Sequence, residues 1–176
     1  MKTPILESER IVLRPLSLND AEHIFKSWTS DPEVAKFMIW DQHQRVDDTI
    51  EWLKIEEENV DSEEHYTWGF VLKETGELFG SGGIGFNQEH DCFEMGYNIM
   101  KKYWGQGLTT EAGEVILDFA IHTLGEKKLF CRHAVDNIGS KKVMLKLGFK
   151  YCSDSTYVSF SGQKHFLSKD YYLCVD

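Results

Sequence analysis

In "MKKYWGQGLTTEAGEVILDF", residues 100–119, two glycines stand one residue apart, directly before a run with helical periodicity. Gly105 and Gly107 leave the backbone bare. The amides of Gln106, Gly107, Leu108 and Thr109 can then converge on one point, and with the helix dipole they make a seat for phosphate-type oxygens. A plain tight turn would use the same letters. A P-loop is excluded, because no Lys-Ser/Thr follows a GxxxxG. A second cluster, "GSGGIG" at 80–85, matches the dinucleotide pattern GxGxxG by letter. That motif must end a strand and open a helix. Here the glycines interrupt an alternating run (Leu78, Ile84, Phe86), and a polar turn and another strand follow. The expectation is a glycine-rich strand with bulges or a close backbone approach.

Glu94 is the other chemically suggestive residue. It stands mid-strand between Phe93 and Met95 and alternates onto the opposite face. A carboxylate among apolar neighbours is expected to have a raised pKa and to take a proton directly or through one water. It could equally be a structural partner for backbone or Tyr97. Metal and thiol chemistry have no starting point: the seven histidines form no HExxH or HxH, and Cys92, Cys131, Cys152 and Cys174 form no CxxC. The cysteines are expected to be reduced and separate.

The elements that must hold these residues follow in order. "RIVLRPL" (10–16) reads as a strand, and Ser17 with Asp20 signals a helix start before "AEHIFKSW". "DPEVAKFMIWDQHQ" reads as a short helical turn and loop. A helix from about Asp47 runs through "TIEWLKIEEENV", its acidic end a solvated face. "HYTWGFVLK", "ELFGSGGIGF" and "CFEMGYNIM" have hairpin spacing. Leu108, Ala112, Val115, Ile116, Phe119 and Ala120 form a stripe of period 3.6, with Thr109 or Thr110 as the helix cap. "KKLFCRHAV" is a strand, "NIGSKKVMLKLGF" a helix closed at Gly148, and "KYCSDSTYVSF" and "KHFLSKDYYLCV" a final hairpin. The fold class is α+β, a mixed sheet with helices.

A chain of 176 residues suits one domain, here 1–176, and is short for two. No apolar run approaches the ~20 residues that span a bilayer. "MKTPILESER" has no apolar signal core, so a cytoplasmic protein is expected, with no membrane partner. The net charge of −10 weighs against nucleic-acid binding and favours cationic partners, although solubility alone explains it as well.

"KKYWGQGLTTEA" resembles the acyl-CoA loop of the GNAT acetyltransferases, and more closely the W-G-x-G-x-x-T-E-A form of their Rim-type N-terminal acetyltransferase subgroup. "FEMGY", "RIVLRPL" and "DPEVAKFMIW" fit too, and "DNIGSKKVMLKLGF" is similar to the subgroup's N-x-x-S-x-x-x-x-x-K-L-G-F helix. The loop departs from the pattern at Lys102, where Arg or Gln is usual. The resemblance implies a mostly antiparallel sheet whose central parallel strands, "CFEMGYNIM" and "KKLFCRHAV", splay apart around acetyl-CoA.

Carried onto this chain, it implies unpaired amides at Ile99 and Met100 along the pantetheine arm, joined by Asn137. Lys102 (through its backbone), Gly105, Gln106, Gly107, Leu108 and Thr109 would take the pyrophosphate. Lys101, Lys102, Lys141, Lys142 and Lys146 fall on flanking segments, where each could also be an ordinary surface charge. Glu94 becomes the base. Ser140 replaces the tyrosine acid that many relatives carry at the position of Met144, or else caps its helix. Phe37, Met38, Trp40 and Tyr97 would line the acceptor pocket.

The implied activity is transfer of an acetyl group to a primary amine. An N-terminal amine (pKa near 8) loses its proton more easily than a lysine (about 10.4). A protein or peptide N-terminus therefore leads. A small amine such as a polyamine, aminoglycoside or amino acid is the alternative, and a non-catalytic acyl-CoA-binding module a further one. No metal is implied. Oligomeric state stays open, a homodimer included.

Overall fold

The computed structural model describes residues 1–176. Its strands are β1 (Leu6–Glu7), β2 (Ile11–Arg14), β3 (His65–Leu72), β4 (Leu78–Asn87), β5 (Cys92–Ile99), β6 (Lys128–Ala134), β7 (Lys150–Val158) and β8 (His165–Cys174). They form one sheet in the order β1-β2-β3-β4-β5-β6-β8-β7. Every neighbouring pair is antiparallel except β5–β6. The helices are α1 (Ala21–Ile24), α2 (Pro32–Ala35), α3 (Val46–Glu58), α4 (Leu108–Asp118) and α5 (Ile138–Lys146). This is the α+β sheet with flanking helices that the sequence predicts.

Strand alternation sorts the central sheet into two unlike faces. Tyr66, Trp68, Phe70, Ile84, Phe93, Met95 and Ile99 are buried on one face, with Leu108, Ala112, Ile116 and Phe119 of the α4 segment in the same core cluster. The opposite face is nearly bare. Its cross-strand rows run His65–Gly85–Glu94, Thr67–Gly83–Gly96 and Gly69–Ser81–Asn98. The "GSGGIG" stretch lies inside β4 and opens no helix. Both anticipated features are present in it. Phe79 is an extra residue, since Phe70 opposes Gly80 while Val71 opposes Leu78. A Cβ on Gly83 would lie 1.9 Å from the Tyr66 carbonyl oxygen.

Local signals hold well at the helix ends. Asp20 accepts the Ser17 N–H at 2.9 Å, and Arg14 grips its two oxygens at 2.8 and 2.9 Å. Gly148 closes α5 with a φ of 89°. Three expectations need correction. The strand read at 10–16 spans Ile11–Arg14 and is the second, preceded by β1, whose two residues pair with Leu13 and Val12 and are too few to show alternation. α4 begins at Leu108 with Gly107 as its cap, so Thr109 and Thr110 lie in its first turn. The acidic end of α3 is not wholly solvated: Glu56 turns inward, taking the Trp52 indole N–H at 2.8 Å and His65 at 3.2 Å. All four cysteines are free thiols.

Candidate active site

β5 and β6 pair only at Phe93–Leu129 and Glu94–Phe130, then separate. The antiparallel ladder to β4 turns alternate β5 amides the other way, so the Ile99 N–H faces the opening. Met100 does not share this. Its N–H donates to the Phe79 carbonyl at 2.8 Å and its carbonyl accepts from Tyr103, so the unpaired amide expected there is absent.

Beyond β5 the chain enters the glycine loop. Gly105 and Gly107 have φ of 74° and 77°, the left-handed region that costs a side-chain-bearing residue most. From Gly105 to Thr110 no amide donates within the chain. The first to do so is Glu111 N–H, to the Gly107 carbonyl at 3.0 Å. These are free donors at the N-terminus of an eleven-residue helix.

The loop is held from behind by a clamp absent from the sequence reading. Glu111 accepts from the Ser8 hydroxyl at 2.7 Å, the Arg10 N–H at 2.8 Å and the Arg10 guanidinium at 2.6 Å, and Arg10 also reaches the Gln106 carbonyl at 3.2 Å. Lys102 is turned away, its ammonium on Glu77 at 2.8 Å, and Lys101 pairs with Glu33. Lys141, Lys142 and Lys146 are exposed and make no ion pair.

A cavity of about 540 Å³ runs along the opening, lined by Ile99, Gly105, Thr109, Asn137, Ser140 and Tyr97 among others. Asn137 is the N-cap of α5. Its Oδ1 accepts the Ser140 N–H at 3.2 Å, so Ser140 is not the cap. Asn137 keeps its Nδ2 donor free. Phe37, expected in the acceptor pocket, lines this cavity and packs edge-on against Phe166.

On the bare face lies a trough of about 950 Å³, floored by the glycine rows and walled by Trp40, Trp52 and Phe160. The loop carrying Trp40 is strapped in place by Lys164, whose Nζ donates to the carbonyls of Ala35, Met38 and Trp40 at 3.1, 3.0 and 2.9 Å. On the trough wall the hydrogen bond to Glu56 holds His65 above the ordinary histidine range, against the effect of burial.

Trough and cleft meet at a small cavity of about 120 Å³ that brings Glu94 and Ser140 together with Tyr97 and Arg132. The apolar setting expected for Glu94 is not what surrounds it. Asn87 donates to Oε2 at 2.7 Å and Arg132 Nε lies 3.2 Å from Oε1. Tyr97 is on the other face of β5 from Glu94, its hydroxyl 3.0 Å from Ser140 Oγ. Met144 is buried in the core, so no tyrosine stands at that position. Cys131 is a wall and not a nucleophile: burial pushes its thiol far up, and it donates to the Met95 carbonyl at 3.4 Å.

A splayed parallel pair, a glycine loop with unpaired amides, and an open trough meeting them end to end define a two-substrate transferase site. Residues 10–150 match the family described as "Acetyltransferase (GNAT) domain". The chain belongs to that family and is an N-acetyltransferase, and acetyl-CoA is the donor this fold uses. It is 29% identical over 150 residues to the uncharacterized N-acetyltransferase YoaA of Bacillus subtilis (strain 168), covering 84% of this chain and 83% of that one. Among solved structures, ribosomal-protein-S5-alanine acetyltransferase from Vibrio fischeri superposes with a TM-score of 0.82 at 16% identity, over 98% and 97% of the two chains. The microcin C7 self-immunity acetyltransferase MccE, in complex with acetyl-CoA and AMP, gives 0.81 at 16%, over 96% and 94%.

Proposed function

We propose that residues 1–176 form one Rim-type acetyltransferase unit that moves the acetyl group of acetyl-CoA onto the N-terminal amine of a protein or peptide. The observation that carries this is the trough. It is open, floored by glycine, about 950 Å³ in volume, and meets the cofactor cleft at the cavity of Glu94 and Ser140. A chain terminus can lie along it with its amine at the junction. Ribosomal-protein acetyltransferases share the fold at under 20% identity, which supports the architecture and leaves the acceptor to the trough itself.

When bound, acetyl-CoA supplies a thioester carbonyl open to attack by an amine. The chain's donors fit the anionic part of this group. Amides from Gly105 to Thr109 take the pyrophosphate oxygens, and the exposed ammonium groups of Lys141, Lys142 and Lys146 add positive charge nearby. Ile99 N–H and Asn137 Nδ2 hold the arm in the opening like an added strand. Each Glu94 oxygen has one partner and a lone pair to spare, and so accepts the amine proton directly or through water. Ser140 donates to the sulfur.

One observation favours a second reading, a small cationic amine such as a polyamine: Asp41, Asp48, Glu51, Glu56, Glu89 and Glu94 all border the trough. Free-thiol release from acetyl-CoA, followed across peptides, polyamines, aminoglycosides and amino acids, decides between them. Turnover on peptide N-termini at the highest kcat/KM is expected, and a polyamine with the higher value would overturn the assignment.

A further inference from the structure

Met38 and Tyr97 border the trough, the cofactor cleft and the small cavity joining them alike. Met38 offers no proton. Tyr97 does, and it reaches across from β5 to α5, its hydroxyl 3.0 Å from Ser140 Oγ and 3.3 Å from the Ser140 carbonyl. We infer that Tyr97 is a positioning residue for the transfer: its hydroxyl donates to Ser140 Oγ and so frees the serine proton to point at the departing sulfur. The inference rests on the proposed placement of Ser140 beside that sulfur.

Two hydroxyls share two protons here, and two arrangements satisfy the distances. In one, Ser140 donates to Tyr97 while Tyr97 donates to the Ser140 carbonyl. Both protons are then consumed inside the pair. In the other, Tyr97 donates to Oγ and the serine proton is released into the cavity. Negative charge growing on sulfur selects the second, because only that one gives the charge a donor. The serine backbone is held in place, its N–H tied to Asn137 Oδ1 at 3.2 Å. Burial raises the Tyr97 phenol well above its ordinary range, so it stays protonated and donates a hydrogen bond without losing its proton.

The transfer balances without an ionised tyrosine. The amine nitrogen bonds to the acetyl carbon, and the C–S bond breaks with its electron pair passing to sulfur. The amine proton goes to Glu94 and on to water. Sulfur departs as the thiolate, hydrogen-bonded by Ser140, and takes a proton from solvent.

The experiment compares wild type, Tyr97→Phe, Ser140→Ala and the double variant in three measurements. These are kcat on the best acceptor, acetyl-CoA binding by calorimetry, and the thiolate absorbance of enzyme-bound CoA across pH. Removing one phenol oxygen leaves the packing in place, which thermal unfolding checks. Each single variant is expected to lose roughly tenfold or more in kcat, as for a hydrogen bond to a charged group, with acetyl-CoA affinity unchanged. The bound thiol should ionise at higher pH in both, by similar amounts, and the double variant should be no worse than Ser140→Ala. A Tyr97→Phe protein that matches wild type while Ser140→Ala is impaired overturns the inference, as does an additive double variant. If wild type turns over and neither variant moves the thiol titration, the placement of Ser140 itself fails. If wild type acetylates no amine, the proposed acceptor chemistry fails, while the titration of bound CoA still reports on the Tyr97–Ser140 pair.

Discussion

Arg10 and Glu111 stand 101 positions apart and are joined twice, backbone N–H to Oε1 at 2.8 Å and guanidinium to Oε2 at 2.6 Å. The pair fastens the first turn of α4 to the turn between β1 and β2, directly behind the free amides of the glycine loop.

This clamp gives an acid-dependent contribution to stability. Burial opposes the Glu111 charge, but the Ser8 hydroxyl and the Arg10 amide and guanidinium outweigh it and hold the carboxyl below its usual range. A depressed folded-state pKa stabilises above the unfolded value, about 4.3, and that contribution is lost as pH falls through the folded value. Glu111→Gln should therefore destabilise at pH 7, by about 1–3 kcal/mol, and destabilise less in acid. Thermal unfolding of both proteins from pH 7 to pH 3 tests this; parallel curves would mean that the clamp does not titrate. Acetyl-CoA affinity should fall too, because the loop loses its backing.

Gly107 tests the loop itself. A Cβ there meets nothing nearer than Arg10 Nη2 at 3.6 Å, so space is not the obstacle. The obstacle is φ of 77°, which costs an L-residue about 1–2 kcal/mol and is worst for a branched one. Gly107→Val should relieve this by turning the amides out of alignment. The expected result is a folded protein whose calorimetric affinity for acetyl-CoA is sharply reduced. Normal affinity in a folded variant would make the glycine pair a turn and nothing more.

Most of the sheet and both long helices were legible in the sequence because alternation and 3.6-residue stripes are local. So were the strand-to-helix setting of the glycine loop and the helix that follows Asn137, which sit in contiguous motifs. The failures are non-local. Nothing around Glu94 announces that Asn87 and Arg132 will converge on it, since Arg132 arrives from a strand across the parallel pair. The role of Glu111 depends on Arg10 and Ser8 from the far end of the chain. Tyr97 alternates onto the opposite face from Glu94, as counting from residue 94 to 97 shows, and still borders the trough. The glycines of "GSGGIG" read as a strand with a bulge or a close approach, as found, but not as a trough floor. Their use is visible only when rows of three strands are laid side by side.

Glu94 and its partners set up a kinetic test. Glu94→Gln keeps an acceptor oxygen for one neighbour but cannot take a proton. Turnover should fall by about 10²–10⁴-fold with acetyl-CoA affinity almost intact, and recover in part at high pH, where more amine is already free. Steady-state kinetics from pH 6 to 9.5 measure this. Wild-type turnover at every pH would assign proton removal to another group or to bulk water.

The trough makes the last prediction, and Gly96 is the residue to use. It lies on the floor, opposite Gly83, and borders both the trough and the small cavity holding Glu94 and Ser140. A Cβ built on it meets nothing within 4 Å, and its φ is not positive. Gly83 is the contrasting case in the same row, since any side chain there collides with the Tyr66 carbonyl, so Gly83→Ala should unfold or shift the strand pair. Gly96→Leu should instead fold with an unchanged melting temperature, because the new side chain projects into empty space. Acetyl-CoA lies in the cleft beyond Ile99 in the proposed mechanism, so its binding should be normal. In the same proposal the acceptor crosses the floor at this point. Its KM should rise tenfold or more, with a longer peptide hindered more than a small amine. Equal hindrance of both would mean that the two classes enter by the same narrow junction. Unchanged kinetics with every acceptor, in a variant that is folded and binds acetyl-CoA, would show that the amine reaches Glu94 from somewhere other than the trough.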